Sequence, residues 1–126
     1  MSRSAPRPTD AELAILRILW ERGPSTVRQV HEQLARERVT AYTTALKLLQ
    51  IMTEKGLVER DTTGWRHVYR ARFSRTRTQK QIVRNLLDRA FEGSSHQLVM
   101  QALSAKKASR AELDEIQKLI DEMKGA

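Results

Sequence analysis

Apolar residues recur at helical spacing in three segments of the first half of the chain. Thr9 followed by Glu12, and Thr26 followed by Gln29, have the spacing of a capping box, in which two side chains satisfy free N–H groups at a helix start. Gly23-Pro24 between these boxes is typical of a helix end. The pattern therefore predicts two helices separated by a short turn.

A third helix is predicted over residues 40–55, with Thr40 as its N-cap and Gly56 as its end. One side of this helix is apolar and carries Ala45, Leu48, Leu49 and Met52. The other side is polar and carries Tyr42, Thr43, Lys47 and Gln50. The apolar side should face a core, which leaves the polar side free to contact a ligand.

The pattern changes to that of β-strands over residues 57–61 and 65–73, with the turn signal Thr62-Thr63-Gly64 between them. In the second run, alternate positions are aromatic or histidine and the positions between them are mainly arginine. We expect Trp65 and Tyr69 to pack in the core or the hairpin. Three short helices followed by a hairpin predict the winged form of helix-turn-helix.

From Ser74 onward the pattern is helical again, with Gly93 as a break and Ser109 with Glu112 as a third capping box. Three short helices have too little chain to bury their apolar surface alone, so a second copy is its simplest cover. A groove for a different protein is the alternative. The residues predicted in this apolar core are Leu86, Phe91, Leu98, Leu113, Ile116, Leu119 and Ile120.

These elements predict a mainly α fold with a small β-hairpin wing. Residues 1–8 hold two of the three prolines and no periodicity, so a flexible tail is expected there. A winged-helix DNA-binding domain is expected at residues 9–73, followed by a helical dimerisation region at residues 74–126.

The distribution of charged residues along the chain makes the functional prediction more specific. The chain of 126 residues has a formal net charge of +8. The stretch from Arg36 to Arg84 holds twelve Lys and Arg against four Asp and Glu, whereas the rest of the chain is balanced. Such a block suits a polyanion such as nucleic acid or an anionic membrane surface, and a solubilising surface is the alternative.

The residue types also exclude several classes of site. Without cysteine, the chain forms no disulfide, zinc–thiolate site or iron–sulfur cluster. His31, His67 and His96 are far apart, and no hydrolase, nucleotide-binding or zinc-protease motif occurs, so we expect no enzyme, cofactor or metal site. No apolar run approaches the roughly 18 residues of a membrane span, and residues 1–9 are polar and lack the apolar core of a signal peptide. We expect a cytoplasmic protein without membrane insertion.

Ala41-Tyr42-Thr43-Thr44 and Glu54-Lys55-Gly56-Leu57-Val58 stand at a distinctive spacing. With residues 9–20, 23–27, the hairpin end Val68-Tyr69, residues 90–99 and the helix from Ser109 to Met123, they resemble the penicillinase-repressor family, also called the BlaI/MecI/CopY family. The resemblance implies a homodimeric repressor of a pseudopalindromic DNA operator, with a C-terminal dimerisation arm. As a partner of many members it implies a membrane-bound sensor protease, which inactivates the repressor by cutting that arm.

Three features depart from the family pattern. The cysteine-rich metal tail of some copper-responsive members is absent. Gln101-Ala102 stands where the resistance repressors are cut at an Asn-Phe bond. Leu46 and Ile51 stand where many members carry a basic residue and an arginine. Release from DNA and the operator sequence are therefore expected to differ from those of the family's known members.

The start of the third helix is the expected base-reading element, because the N-terminal turn of a recognition helix points at base edges in the major groove. The predicted contacts there are Thr40, Ala41, Tyr42, Thr43, Thr44 and Lys47. In the wing, Arg66 beside Gly64, followed by Arg60, is expected to contact phosphate or the minor groove. The alternatives are solvated charge for these two arginines, a plain N-cap for Thr40 and inward packing for Thr44.

We therefore expect a sequence-specific DNA-binding transcriptional repressor that acts as a homodimer. The helix over 40–55 would occupy the major groove, and the wing over 57–73 would contact the DNA backbone. A winged-helix protein-interaction module and a non-specific architectural DNA-binding protein are the alternatives. Sequence-dependent and salt-dependent DNA binding distinguishes the three.

Overall fold

The computed structural model describes residues 7–125, so most of the tail expected at residues 1–8 lies outside the described residues. Within this range, six helices and one antiparallel hairpin follow one another. None of these helices is both long and apolar enough to cross a bilayer. The elements are α1 Asp10–Arg22, α2 Val27–Glu37, α3 Tyr42–Lys55, β1 Val58–Asp61, β2 Val68–Ala71, α4 Arg75–Ala90, α5 Ser95–Ala105 and α6 Arg110–Gly125.

Local hydrogen bonds at the helix ends explain why these segments begin and stop where they do. The capping boxes predicted for α1 and α2 are both formed, with Thr9 bonded reciprocally to Glu12 and Thr26 to Gln29. Gly56 ends α3 in the left-handed conformation, at a φ of 80°, which glycine adopts without steric cost. The predicted two helices with a tight turn are therefore confirmed.

The core lies between the first three helices and the hairpin. Ile15 of α1, Val30 of α2, and Leu49 and Met52 of α3 are fully buried in it. Tyr69 of β2 is also buried. Together these residues fix α3 from one side only, and its other side stays at the surface.

The hairpin is short and is fastened to the helices by backbone pairing. Its register places Glu59 opposite Arg70 and Arg60 opposite Tyr69. On its other edge, Tyr69 exchanges two backbone hydrogen bonds with Ser25, at 2.9 and 2.8 Å. The turn before α2 thus acts as a third strand position, which sets the wing beside the helix-turn-helix.

The expectation that Trp65 packs in the core or hairpin is wrong. β2 begins only at Val68, so the hairpin loop covers residues 62–67 and is longer than the predicted turn. Trp65 stands in this loop with 86% of its surface exposed. Alternation with a period of two predicts that Trp65 lies on the same face as Tyr69. Residues outside the paired strands do not follow this alternation.

The chain divides into two compact units after Arg84, inside α4. This point is later than the expected boundary at residue 74. The first turns of α4 belong to the first unit because Thr78 is buried there and Arg75 pairs with Glu21 of α1 at 3.5 Å.

The second unit contains the end of α4, α5 and α6. The predicted capping box of Ser109 and Glu112 opens α6, and Ser94 caps α5. Among residues 85–125 none is buried, so this unit has no interior of its own.

An ion pair with a buried carboxylate joins the start of α1 to the end of α3. Glu12 is only 2% exposed, and its carboxylate accepts a hydrogen bond from Lys55 at 2.6 Å as well as one from the backbone of Thr9. Burial alone would raise the pKa of Glu12, but the bonds from Lys55 and Thr9 together hold it below its ordinary value. The pair therefore stabilises the contact between the start of α1 and the end of α3.

Glu12→Gln is expected to lower the free energy of unfolding at pH 7 by about 1–3 kcal/mol, because glutamine keeps the cap but removes the negative charge that faces Lys55. Since the folded-state pKa is depressed, the stabilisation is present above the ordinary carboxyl pKa and is lost as pH falls through the folded-state value. Urea unfolding of both proteins between pH 7 and about pH 3 measures this shrinking difference.

Glu32→Gln is the matched control, because Glu32 forms an exposed pair with Arg28 at 3.4 Å. It should cost less than about 0.5 kcal/mol. Equal losses in the two variants would contradict a special role for the buried pair.

Candidate nucleic-acid interface

The outer face of α3 is an exposed surface of the first unit that carries mainly polar side chains. Ala45, Leu49 and Met52 have no exposed surface, which anchors the helix to the core. The predicted contact residues Tyr42, Thr43, Thr44 and Lys47 are all exposed on the first two turns. Thr44 does not pack inward beside Leu48. The geometry thus brings these four side chains together on one end of one helix.

The start of α3 differs from the prediction. Its N-cap is Ala41, which has no side chain to cap it, and the helix begins at Tyr42 rather than at Thr40. The expectation that Thr40 is the N-cap is wrong, because Thr40 lies one residue too early and its hydroxyl donates instead to the carbonyl of Arg38. Thr40 itself is half-buried in the turn between α2 and α3.

His31 of α2 holds this turn in place. Its Nε2 lies 2.7 Å from the carbonyl oxygen of Thr40, and because a carbonyl only accepts, Nε2 carries the donated proton. The same ring meets Tyr42 edge to face, with centroids 5.7 Å apart. His31 therefore positions both the entry to α3 and the first exposed side chain on it.

The two predicted wing arginines lie in different places. Arg60 is exposed on β1, where it stands opposite Tyr69 in the ladder. Arg66 is exposed in the loop, and its guanidinium carbon lies 4.3 Å from the centre of the Trp65 ring. Of these two arginines, Arg66 lines the cleft between the wing and α3, and Arg60 does not.

The two strands together carry less net positive charge than the arginine of the second strand alone would give. Arg70 faces Glu59 across the ladder and forms an exposed ion pair with it at 3.3 Å. Beside them, the backbone N–H and hydroxyl of Thr63 donate to Asp61, which lowers the pKa of that carboxyl and orders the start of the loop. Among residues 7–125, Arg70 is therefore paired, whereas no ion pair involves Arg60 on β1 or Arg66 in the loop.

The cleft between the wing loop and the helices has a volume of about 440 Å³. Its walls come from the start of α2, the start of α3 and the loop. The side chains that matter here are Arg28, Tyr42, Leu46, Trp65, Arg66 and His67. The surface is thus aromatic and basic, and it continues directly into the exposed face of α3.

The residues predicted for dimerisation are all accessible in the second unit. Phe91, Leu98 and Ile116 are half-buried, and Leu86, Leu113, Leu119 and Ile120 are exposed. Val99, Met100, Leu103 and Met123 add further exposed apolar surface to the same unit. A single copy therefore leaves uncovered the face that the sequence assigned to an apolar core.

Within residues 7–125, no group of three or more His, Asp or Glu side chains has the arrangement of a metal site. The candidate chemistry is therefore that of charge, hydrogen bonding and aromatic packing on the outside of α3 and the wing.

A family model described as penicillinase repressor matches residues 8–122. The chain belongs to the penicillinase-repressor family. The resemblance found in the sequence is confirmed. Among similar proteins is "Transcriptional regulator BlaI" of Mycobacterium tuberculosis (strain ATCC 25618 / H37Rv), 50% identical over 50 residues, which is 39% of this chain and 36% of that protein. Another is "Penicillinase repressor" of Bacillus licheniformis, 20% identical over 122 residues, or 97% of this chain and 95% of that one.

The fold also resembles a solved structure, the solution structure of the DNA-binding domain of the repressor BlaI. The TM-score is 0.52 at 20% identity, and the match covers 60% of this chain and 93% of that domain. This likeness confirms the predicted fold, a mainly α winged helix with a hairpin. The expectation that the chain is not an enzyme agrees with its membership of a family described as penicillinase repressor.

The roles of two residues of this surface are not evident from the sequence. The contact of the His31 ring with a carbonyl nine residues later shows that this side chain positions the start of α3. Trp65 lies in the loop and not in the packed hairpin, and its place directly after Thr62-Thr63-Gly64 is the signal in the sequence that indicates this. Both depend on how the backbone turns, which periodicity does not reveal.

Ala41→Ser is expected to stabilise the protein by about 1 kcal/mol, because serine supplies the side-chain cap that α3 lacks. Thr40→Ala should change stability by less than about 0.5 kcal/mol, since Thr40 does not cap. Thermal unfolding of both variants, with Thr26→Ala as a reference for the loss of a true cap, measures the effects. A cost for Thr40→Ala as large as that for Thr26→Ala would contradict the helix start at Tyr42.

Proposed function

We propose that this protein is a DNA-binding transcriptional repressor that recognises a specific operator through α3. One observation carries the proposal: the core anchors α3 on one side, while its first two turns present Tyr42, Thr43 and Lys47 beside a basic wing. This is the geometry in which a helix enters the major groove. Family membership and the names of the relatives support it.

The contacts divide by chemistry. The methyls and hydroxyls at the start of α3 suit base edges, and Lys47 reaches one turn further towards guanine or phosphate. Ala41 and Thr40 lie where the protein backbone enters α3. Arg66 and Arg60 serve the sugar–phosphate backbone, so they set affinity more than sequence preference.

We further propose that two copies act together. Among residues 85–125 of the second unit none is buried, and the apolar face there is suited to contact a second copy of the chain. Two recognition helices about 34–36 Å apart would read the half-sites of a pseudopalindromic operator. Such a repressor works beside the chromosome, in the cytoplasm.

The family resemblance makes a membrane-bound sensor protease a further candidate partner, and the residues of Gln101-Ala102 are exposed. This bond lies inside α5, where the backbone is helical. Cleavage there would require several residues of α5 to unwind first, since proteases bind extended chain.

Fluorescence anisotropy tests operator recognition, with the duplex upstream of this protein's own reading frame compared with a scrambled duplex. The wild type should prefer the specific duplex by about a thousandfold or more. Lys47→Ala should lose about 1–3 kcal/mol on the specific duplex if it reads a base, and Arg66→Ala should lose affinity on both duplexes equally. Lys124→Ala, in the last turn of α6, is the control for loss of a lysine.

The same titrations separate the alternatives. Equal binding to every sequence, including duplexes selected from random DNA, would favour a non-specific architectural protein. A lack of DNA binding, together with a stable complex with another protein, would favour an interaction module.

Leu119→Glu is expected to convert a dimer into a monomer, because it places a charge on the apolar face of α6, where Leu119 is 54% exposed in a single copy. Lys118→Glu, on the polar side of the same helix, should leave the dimer intact. Light scattering coupled to size exclusion measures both masses. A wild-type monomer at micromolar concentration would contradict the dimer.

A further inference from the structure

Trp65 is the most exposed aromatic side chain among the described residues. Exposed indole surface is unfavourable in water, and most of the Trp65 surface is left exposed. The Arg66 guanidinium stacks on the ring, with its carbon 4.3 Å from the ring centre. Among residues 7–125, no ion pair involves Arg66, so its charge is held in place by an aromatic ring instead of being neutralised by a carboxylate.

Across the cleft from this pair stand Tyr42 and Arg28. Of the described residues that line the cleft, none is acidic. Arg28 forms an exposed ion pair with Glu32, which does not line the cleft. The cleft therefore has an aromatic ring and a cation on each wall. It is open to solvent, which leaves room for an extended strand to pass through it.

A sugar–phosphate strand has this chemistry. Each deoxyribose presents an apolar C–H surface that packs on an aromatic ring, and each neighbouring phosphate requires a cation. Because the cleft is continuous with the exposed start of α3, a helix in the major groove would lead one DNA strand into it. A protein strand or peptide in the cleft would also require partners for its backbone hydrogen bonds, such as an exposed edge strand provides. The side chains on these walls do not provide them.

Building on the proposed DNA-binding function, we propose that this cleft seats one strand of the operator, with Trp65 packed on a deoxyribose and Arg66 held by it against the adjacent phosphate. Trp65 is then a DNA-contact residue of the wing. The stack orders the arginine before binding, so less side-chain entropy is lost when the phosphate arrives.

The test compares Trp65→Ala, Trp65→Phe and Arg66→Ala in titrations with the duplex that the wild type binds most tightly. Trp65→Ala should weaken binding about five- to tenfold, as expected from the loss of a cation–π stack and its phosphate contact. The slope of log affinity against log salt should fall by about one, as for Arg66→Ala. Trp65→Phe keeps a ring and should retain the wild-type slope.

Arg70→Ala is the matched control, because Arg70 is an arginine of the same hairpin that pairs with Glu59 and does not line the cleft. It should change affinity by less than about twofold. Trp65→Ala should unfold at the wild-type temperature, since the side chain is exposed in the free protein.

Fluorescence gives an independent readout. Saturating duplex should protect Trp65 from acrylamide quenching in the wild type. In Trp65→Phe the remaining indole is that of Trp20, which donates to the carbonyl of Phe73, and its quenching should not change. Wild-type affinity and salt slope in Trp65→Ala, or undiminished quenching of Trp65 on DNA, would overturn this inference and leave operator binding intact. Failure of the wild type to bind any duplex would remove operator binding and this inference together.

Discussion

The backbone pairing of Tyr69 determines how the candidate interface is built. One edge of this residue pairs with β1, and the other exchanges two hydrogen bonds with Ser25, while its ring is buried in the core. A single residue therefore joins the hairpin, the start of α2 and the apolar interior. The wing cannot move away from α3 without breaking these bonds and exposing the ring to water. The width of the cleft follows from this constraint.

Much of the fold could be predicted because its signals are local. The boxes at Thr9, Thr26 and Ser109 require side chains three residues apart, and the structure forms all three. The buried and exposed sides of α3 follow from helical period alone. A resemblance carried by short motifs then identified the family, which the match over residues 8–122 confirms.

The remaining features depend on contacts that are distant in sequence or on the exact path of the backbone. Threonine is a good N-cap at any position, so only the observed turn, fixed by His31, shows that Thr40 stands one residue too early. Alternation predicts a strand, but it does not show where pairing stops, and Trp65 lies beyond that point. The ion pair of Glu12 and Lys55 joins residues 43 positions apart, and no local pattern signals it.

The second unit has a consequence for the amount of protein in the cell. Its helices leave Val99, Leu103 and Leu119 in contact with water when a copy is alone. Exposed apolar side chains of this kind are what chaperones and quality-control proteases bind. If a second copy covers them, newly made chains that fail to pair are removed preferentially. The lifetime of the chain would then depend on assembly, and its steady-state level would be set by pairing as well as by synthesis.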